Sequence, residues 1–199
     1  MKNSITLFVA LTHLIIFSGC QSGGQASYVD SSGKNTVVSM NRINIQDFAN
    51  ASDVMIDSLL TSGVLSAAPK KPAVLAMSRI SNKTTSNFDI DRLTKKIRVA
   101  LNRSGKAQTS TVIGLGNNAE DPLAKERAEY EKFRNNDQSN QSLPDFTLSG
   151  KILEDRTRAD DIKQTTYIFQ LSLTNSQGLA VWEDEKLITK QGRKNSVGW

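Results

Sequence analysis

Residues 167–182 read Tyr-Ile-Phe-Gln-Leu-Ser-Leu-Thr-Asn-Ser-Gln-Gly-Leu-Ala-Val-Trp, and this stretch decides the fold. Tyr167, Phe169, Leu171 and Leu173 fall on every second position, the period of a strand with one buried face. Asn175-Ser-Gln-Gly178 then supplies the residues of a tight hairpin turn, and Leu179–Thr189 returns as a partner strand. The parity of the return is ambiguous around Glu183–Lys186, which calls for a bulge or an edge position. Upstream, Phe146, Leu148 and Ile152 alternate in the same way, with Gly150 as the expected bulge. The last sixty residues therefore read as an antiparallel meander.

Helices and further strands precede the meander. Asp121-Pro122 opens a charged helix by cap and first-turn proline, with Arg127–Glu131, Glu129–Lys132 and Glu131–Arg134 at pairing distance. Only Leu123, Ala124, Ala128, Tyr130 and Phe133 offer it apolar contacts, so loose packing is expected. Ala107–Ile113 reads as a modest strand, and Gly114-Leu-Gly-Asn-Asn118 turns away from it. That glycine pair lacks the third glycine and the Gly-Lys-Ser/Thr ending of a phosphate loop. Asp89 caps the clearest amphipathic helix, in which Ile90, Leu93, Ile97, Ala100 and Leu101 share one face and Gly105 ends the run. Arg92, Lys95, Lys96 and Arg103 lie opposite. Asn82–Asn87 reads as a polar loop. Ala73-Val-Leu-Ala-Met77 is a continuous apolar run, the pattern of an interior strand buried on both faces. Before it, Ser52 or Asp47 caps a first helix carrying Val54, Met55, Ile56, Leu59 and Leu60, with Gly63 as its stop.

The fold class is thus α/β in composition: a mixed, largely antiparallel sheet of four to five strands with flanking helices. A single domain of about 150 residues can bury a proper core. Charge is uneven. The chain carries a formal +5, and residues 58–119 hold ten Lys/Arg against only Asp89 and Asp91. Such a patch suits an acidic protein surface or anionic headgroups. Arg79, Lys83, Arg92, Lys95, Lys96 and Arg103 are the candidate partner-binding residues, weighed against an ordinary solvated face.

The N-terminus reads as a lipoprotein signal. Lys2 gives a positive start, Ile5–Phe17 an apolar run too short to span a membrane, and Phe17-Ser-Gly-Cys20 a lipobox-like end. Small residues seat a peptidase, and a thiol accepts the diacylglycerol as a thioether. Cys20 is therefore the lipid-attachment residue, and Gln21 after it favours the outer membrane. The expected layout is a signal over 1–19, a lipidated N-terminus and flexible Gly/Ser tether over 20–44, and a globular domain over 45–199. A tether of about 20 residues spans about 25 Å as a coil and about 70 Å stretched.

Cleavage removes His13, the only histidine, and lipid consumes Cys20, the only cysteine. That takes away histidine acid–base catalysis, thiol nucleophiles, Cys/His zinc sites and disulfides together. No catalytic residue, metal site or cofactor is expected, and an envelope location argues against nucleic acid. Glu154-Asp155, Asp160-Asp161 and Glu183-Asp-Glu185 are the acidic clusters weighed for a carboxylate hydrolase, and they read as ordinary solvated strand ends and loops. Trp182, beside the hairpin, reads as a core or edge-packing residue.

The order helix, strand, basic helix, strand, helix, three strands resembles the LpoB family of lipoprotein activators of penicillin-binding proteins. The matching stretches are Val54–Val64 with Gly63, Ala73–Asn82, Leu93–Gly105, and the strands closing on Gly178-Leu-Ala-Val-Trp182. The resemblance, over about residues 45–192, implies a fold like the N-terminal domain of TolB. It also implies docking on a class A penicillin-binding protein and stimulation of its glycosyltransferase and transpeptidase activities. One feature departs from that pattern: members that reach an inner-membrane synthase carry long, proline-rich tethers, whereas all four prolines here lie at Pro69 or later. The leading expectation is a monomeric, lipid-anchored activator on the periplasmic face of the outer membrane. The alternative is a structural or assembly lipoprotein of an envelope or export complex.

Overall fold

The computed structural model describes residues 27–31, 33, 36–113, 119–134 and 143–193. The signal segment, Cys20, the Gly114–Asn118 turn, residues 135–142 and Trp199 lie outside the described residues. The chain divides into two units, Met1–Thr36 and Val37–Trp199. In the first, the Gly33 amide donates to the Asp30 carbonyl at 3.0 Å and the Thr36 hydroxyl to the Gly33 carbonyl at 3.1 Å. All the elements below belong to the second.

Among the described residues three α-helices are formed: α1 (Ile45–Thr61), α2 (Ile90–Arg103) and α3 (Pro122–Arg134). Five strands, β1 (Ala73–Lys83), β2 (Ala107–Thr109), β3 (Phe146–Ala159), β4 (Ile162–Asn175) and β5 (Ala180–Arg193), form one mixed sheet in the order β2-β1-β3-β4-β5. β1 runs parallel to both neighbours, and β3, β4 and β5 form the antiparallel meander. No helix among the described residues is long and apolar enough to cross a membrane.

The core lies between the sheet and two helices. Met55, Ile56 and Leu59 of α1 and Leu93, Ile97 and Leu101 of α2 are buried against Leu75, Met77, Leu148, Ile152, Tyr167, Phe169 and Leu173. Each such side chain contributes about 1.5–3 kcal/mol relative to exposure. Phe48 of α1 meets Phe88 and Phe169 edge-on, with ring centroids 5.3 and 6.0 Å apart. Trp182 is buried beside this core, as expected. α3 is different. None of its residues is buried, and Leu123, Tyr130 and Phe133 are exposed. Its N-terminus is held by Asp121, whose carboxylate accepts the Ala124 amide at 3.1 Å.

Local chemistry sets the element ends. Asp89 caps α2 by accepting the Asp91 amide at 2.9 Å, and Gly105 beyond its end takes φ 68°. α1 starts earlier than expected. Asn44 precedes it, and the Asn44 amide donates to the Asp47 carboxylate at 2.6 Å. Ser52 is no cap; it sits buried in mid-helix with its hydroxyl on the Phe48 carbonyl at 2.6 Å. The second unit takes in residues 37–44, of which Ser39 and Arg42 accept bonds from Lys190 at the far end of the sheet.

The sheet also differs from expectation in detail. β1 continues through Asn82 and Lys83, which pair with Ile152 and Leu153 instead of forming a loop. β2 shrinks to Ala107–Thr109, and the bond from the Ser110 amide to the Leu75 carbonyl at 2.8 Å is the last of its ladder. The bulge expected at Gly150 is instead in β1, between Met77 and Ile80. Gly150 keeps register with Leu171, and its role is close approach: a Cβ there would lie 2.4 Å from the Gln170 carbonyl oxygen. β5 is an edge strand. Its bulge falls by the turn, where Leu173 faces Trp182 but Thr174 faces Ala180.

Candidate functional site

The candidate basic surface is a stripe on α2. With Leu93, Ile97 and Leu101 buried, the 100° helical step brings Arg92, Lys95, Lys96 and Arg103 onto one solvent side. Val99 stands among them, 43% exposed, an apolar member that the charge pattern alone did not single out. The stripe is not bare charge. Lys95 binds Glu120 at 2.6 Å, Lys96 lies 3.4 Å from Asp53 of α1, and Arg92 lies 3.9 Å from its own cap Asp89. The hydrogen bond from Lys95, reinforced by the Arg98 charge and opposed by partial burial, lowers the Glu120 carboxyl below its usual range. Among the described residues Arg79, Lys83 and Arg103 have no carboxylate within ion-pair distance.

The structure does not bring all six residues together. Arg79 is exposed within the β1 bulge. The extra residue there flips the alternation, so Lys83 shares its row with Leu153, opposite in parity to the buried Ile152. Lys83 therefore lies on the sheet face away from α2.

That outer face holds an open groove of about 740 Å³, lined by Ser81, Ser149, Lys151, Gln170, Glu183 and Glu185 among others. Small hydroxyl side chains floor it. Its carboxylates are already engaged, Glu183 by the Ser172 hydroxyl at 2.8 Å and Glu185 by the Gln170 amide. The groove can offer hydrogen bonds to a polar chain. No group of three or more His, Cys, Asp or Glu suited to a metal occurs among the described residues.

A third cluster lies at the end of the sheet opposite the Asn175–Gly178 turn, and sequence reasoning missed it. Lys190 of β5, with its side chain 7% exposed, donates to the carbonyls of Ser39 at 3.1 Å and Arg42 at 2.9 Å and to the Asp47 carboxylate. The Tyr167 hydroxyl donates to the Met40 carbonyl at 3.4 Å, and burial pushes that phenol above its ordinary value. From the other side the Ser86 hydroxyl reaches the Asn41 carbonyl at 3.0 Å. Residues 39–42 form a strap pinned to the sheet and to the loop after β1.

That loop is itself latched. Glu154, its side chain 4% exposed, accepts from the Thr85 amide at 2.7 Å and its hydroxyl at 2.9 Å, and from Arg156 at 2.5 Å. Burial opposes its ionisation, but the bonds from Thr85 and Arg156 outweigh burial and hold the carboxyl below its ordinary value. Glu154 is therefore structural, and the acidic pair Glu154-Asp155 is split between the two sheet faces by alternation.

Comparison with known proteins bears on this arrangement. The family model of the peptidoglycan-synthase activator LpoB matches residues 47–188, from the first turn of α1 into β5. Among solved structures, the C-terminal domain of LpoB from Salmonella enterica is similar at 15% identity, covering 71% of this chain and 98% of that one, with a TM-score of 0.41. The corresponding Escherichia coli domain gives 16%, 71%, 98% and 0.40. A PelC dodecamer from Paraburkholderia phytofirmans gives 19% identity over 65% of this chain and 78% of that one, with a TM-score of 0.33. No curated protein shows significant sequence similarity to the chain.

Proposed function

Because the chain belongs to the LpoB family of peptidoglycan-synthase activators, we propose that it binds and activates a class A penicillin-binding protein from the periplasmic face of the outer membrane. The observation that carries this reading is the extent of the family match, which takes in nearly the whole helix-and-sheet unit. Anchoring through a lipid on Cys20 is supported by the lipobox-like Phe17-Ser-Gly-Cys20. A non-catalytic role is supported by the loss of the only histidine with the signal. A monomer is supported by the free edge of β5, where Glu183, Asp184, Glu185 and Lys186 put charge on a strand that could otherwise pair with another chain.

The partner surface is the α2 stripe of Arg92, Lys95, Lys96 and Arg103 around Val99. Carboxylates from the synthase replace Glu120 and Asp53 on these cations, and a partly exposed valine gives the contact an apolar centre. Arg79 and Lys83 fall outside this surface. The test is glycan-chain polymerisation and cross-linking by a purified class A synthase, with and without the lipidated protein. Stimulation by the parent and its loss in Lys95→Glu/Lys96→Glu are expected. No stimulation by the parent overturns the function, and full stimulation by the variant overturns the surface.

A further inference from the structure

Beyond Ile152 the inward alternation of β3 continues through Glu154, Arg156 and Arg158, although α1 and α2 no longer cover it. Lys163 of β4 pairs directly with Arg158 and with Gly192 of β5, so the two cations are cross-strand neighbours on one face. Both are exposed. Among the described residues neither has a carboxylate within ion-pair distance, and Arg158 makes one bond, to the Asp160 carbonyl at 3.2 Å. The acids of this end are engaged or face away: Glu154 is held by Thr85 and Arg156 and Asp47 by Lys190, Asp155 belongs to the opposite face, and Asp160 and Asp161 close the turn. Like charges directly opposite each other in a ladder oppose folding. An anion from outside the chain relieves that cost.

The position of the pair indicates which anion. The strap enters this unit beside it: Met40 lies against Gly192, where an added Cβ would meet the Met40 sulfur at 2.9 Å. Just before the strap, Val37 and Val38 are 90% and 65% exposed, and Arg42 within it is exposed as well. Cations around exposed aliphatic side chains, at the point where the chain leads back towards its N-terminus, are the composition of a surface lying on lipid headgroups.

We propose that this end of the sheet, through Arg158, Lys163, Arg42 and Val38, rests on the anionic phospholipid leaflet that holds the protein's own anchor. The inference rests on the reading of Cys20 as the lipid-bearing residue. It keeps the domain at its membrane and gives the short tether a purpose, since a docked domain needs no long reach.

The test uses the lipidated full chain in vesicles of phosphatidylethanolamine with phosphatidylglycerol, or of phosphatidylcholine alone, read by amide hydrogen exchange. Slower exchange at residues 156–164 in the anionic vesicles only, lost at high salt and lost in Arg158→Gln/Lys163→Gln, is the expected result. Equal exchange in both vesicles with the chain firmly anchored overturns the inference and leaves the anchor standing. A chain that fails to stay with vesicles of either kind overturns the anchor and the inference together. Protection that appears in phosphatidylcholine only when a synthase is added assigns the face to an acidic protein and overturns the lipid reading. The variant changes two exposed side chains, so an unaltered melting temperature verifies that it folds.

Discussion

Lys190→Met removes the one donor that serves three acceptors at the strap. The Asp47 carboxylate, 10% exposed, loses its cation, and the Ser39 and Arg42 carbonyls lose their ammonium donor at 3.1 and 2.9 Å. Removing one partner of a buried pair costs about 3–5 kcal/mol, because the other charge is left uncompensated. Asp47 keeps the Asn44 amide at 2.6 Å, which places the loss at the lower end, about 3 kcal/mol. For a domain of this size that lowers the melting temperature by about 6–12 °C. Adding Asp47→Asn should recover part of the loss, since the second change removes the stranded charge. Thermal melts of the four proteins of this cycle, followed by circular dichroism, supply the coupling. A Lys190→Met protein that melts within about 2 °C of the parent, less than about 1 kcal/mol, refutes the clamp.

Gly150→Ala places a methyl 2.4 Å from the Gln170 carbonyl oxygen and 2.8 Å from the Leu171 side chain. Separating β3 from β4 should cost about 2 kcal/mol, read as a urea midpoint lowered at constant slope. Glu154 contributes stability that is fully present above its ordinary carboxyl value and lost as pH falls through its lowered folded value. Glu154→Gln should therefore be less stable than the parent at neutral pH, and the difference should close in acid titrations of the melting temperature.

The meander was legible because a half-buried strand must alternate, and Tyr167, Phe169, Leu171 and Leu173 do so without interruption. α2 was legible for the same reason at the helical period. β5 resisted, because an edge strand buries little on either face and loses the signal that fixes parity. The bulge was misplaced since a strand glycine signals either an extra residue or a close approach, and Gly150 is the second. The site holds a related surprise: Lys83, which reads as part of a polar loop, belongs to β1, and one extra residue between Met77 and Ile80 sends it to the face away from α2. The neutralising partners Glu120 and Asp53 were invisible, being 25 and 43 positions from Lys95 and Lys96 in the chain. So was Lys190, which in a one-dimensional reading is one more surface lysine. Two of its partners, Ser39 and Arg42, sit where composition reads only tether, and the third, Asp47, reads only as a helix cap.

The distance along the chain between Asp47 and Lys190 has a consequence for the order in which the molecule can be completed. Their bond spans 143 residues, and Lys190 belongs to the last strand. Closing a loop of that length costs about 4 kcal/mol in chain entropy, a cost met only once the intervening sheet already holds the ends near each other. During synthesis or export, which proceed from the N-terminus, residues 39–47 emerge first and have no counter-charge until β5 follows. Asp47 therefore stays hydrated, and the first turn of α1 unsealed, until the final strand docks. A chain stalled before β5 presents its strap, with Val37 and Val38, as loose polypeptide. The end of the domain nearest its N-terminus is the last part to become resistant to proteases.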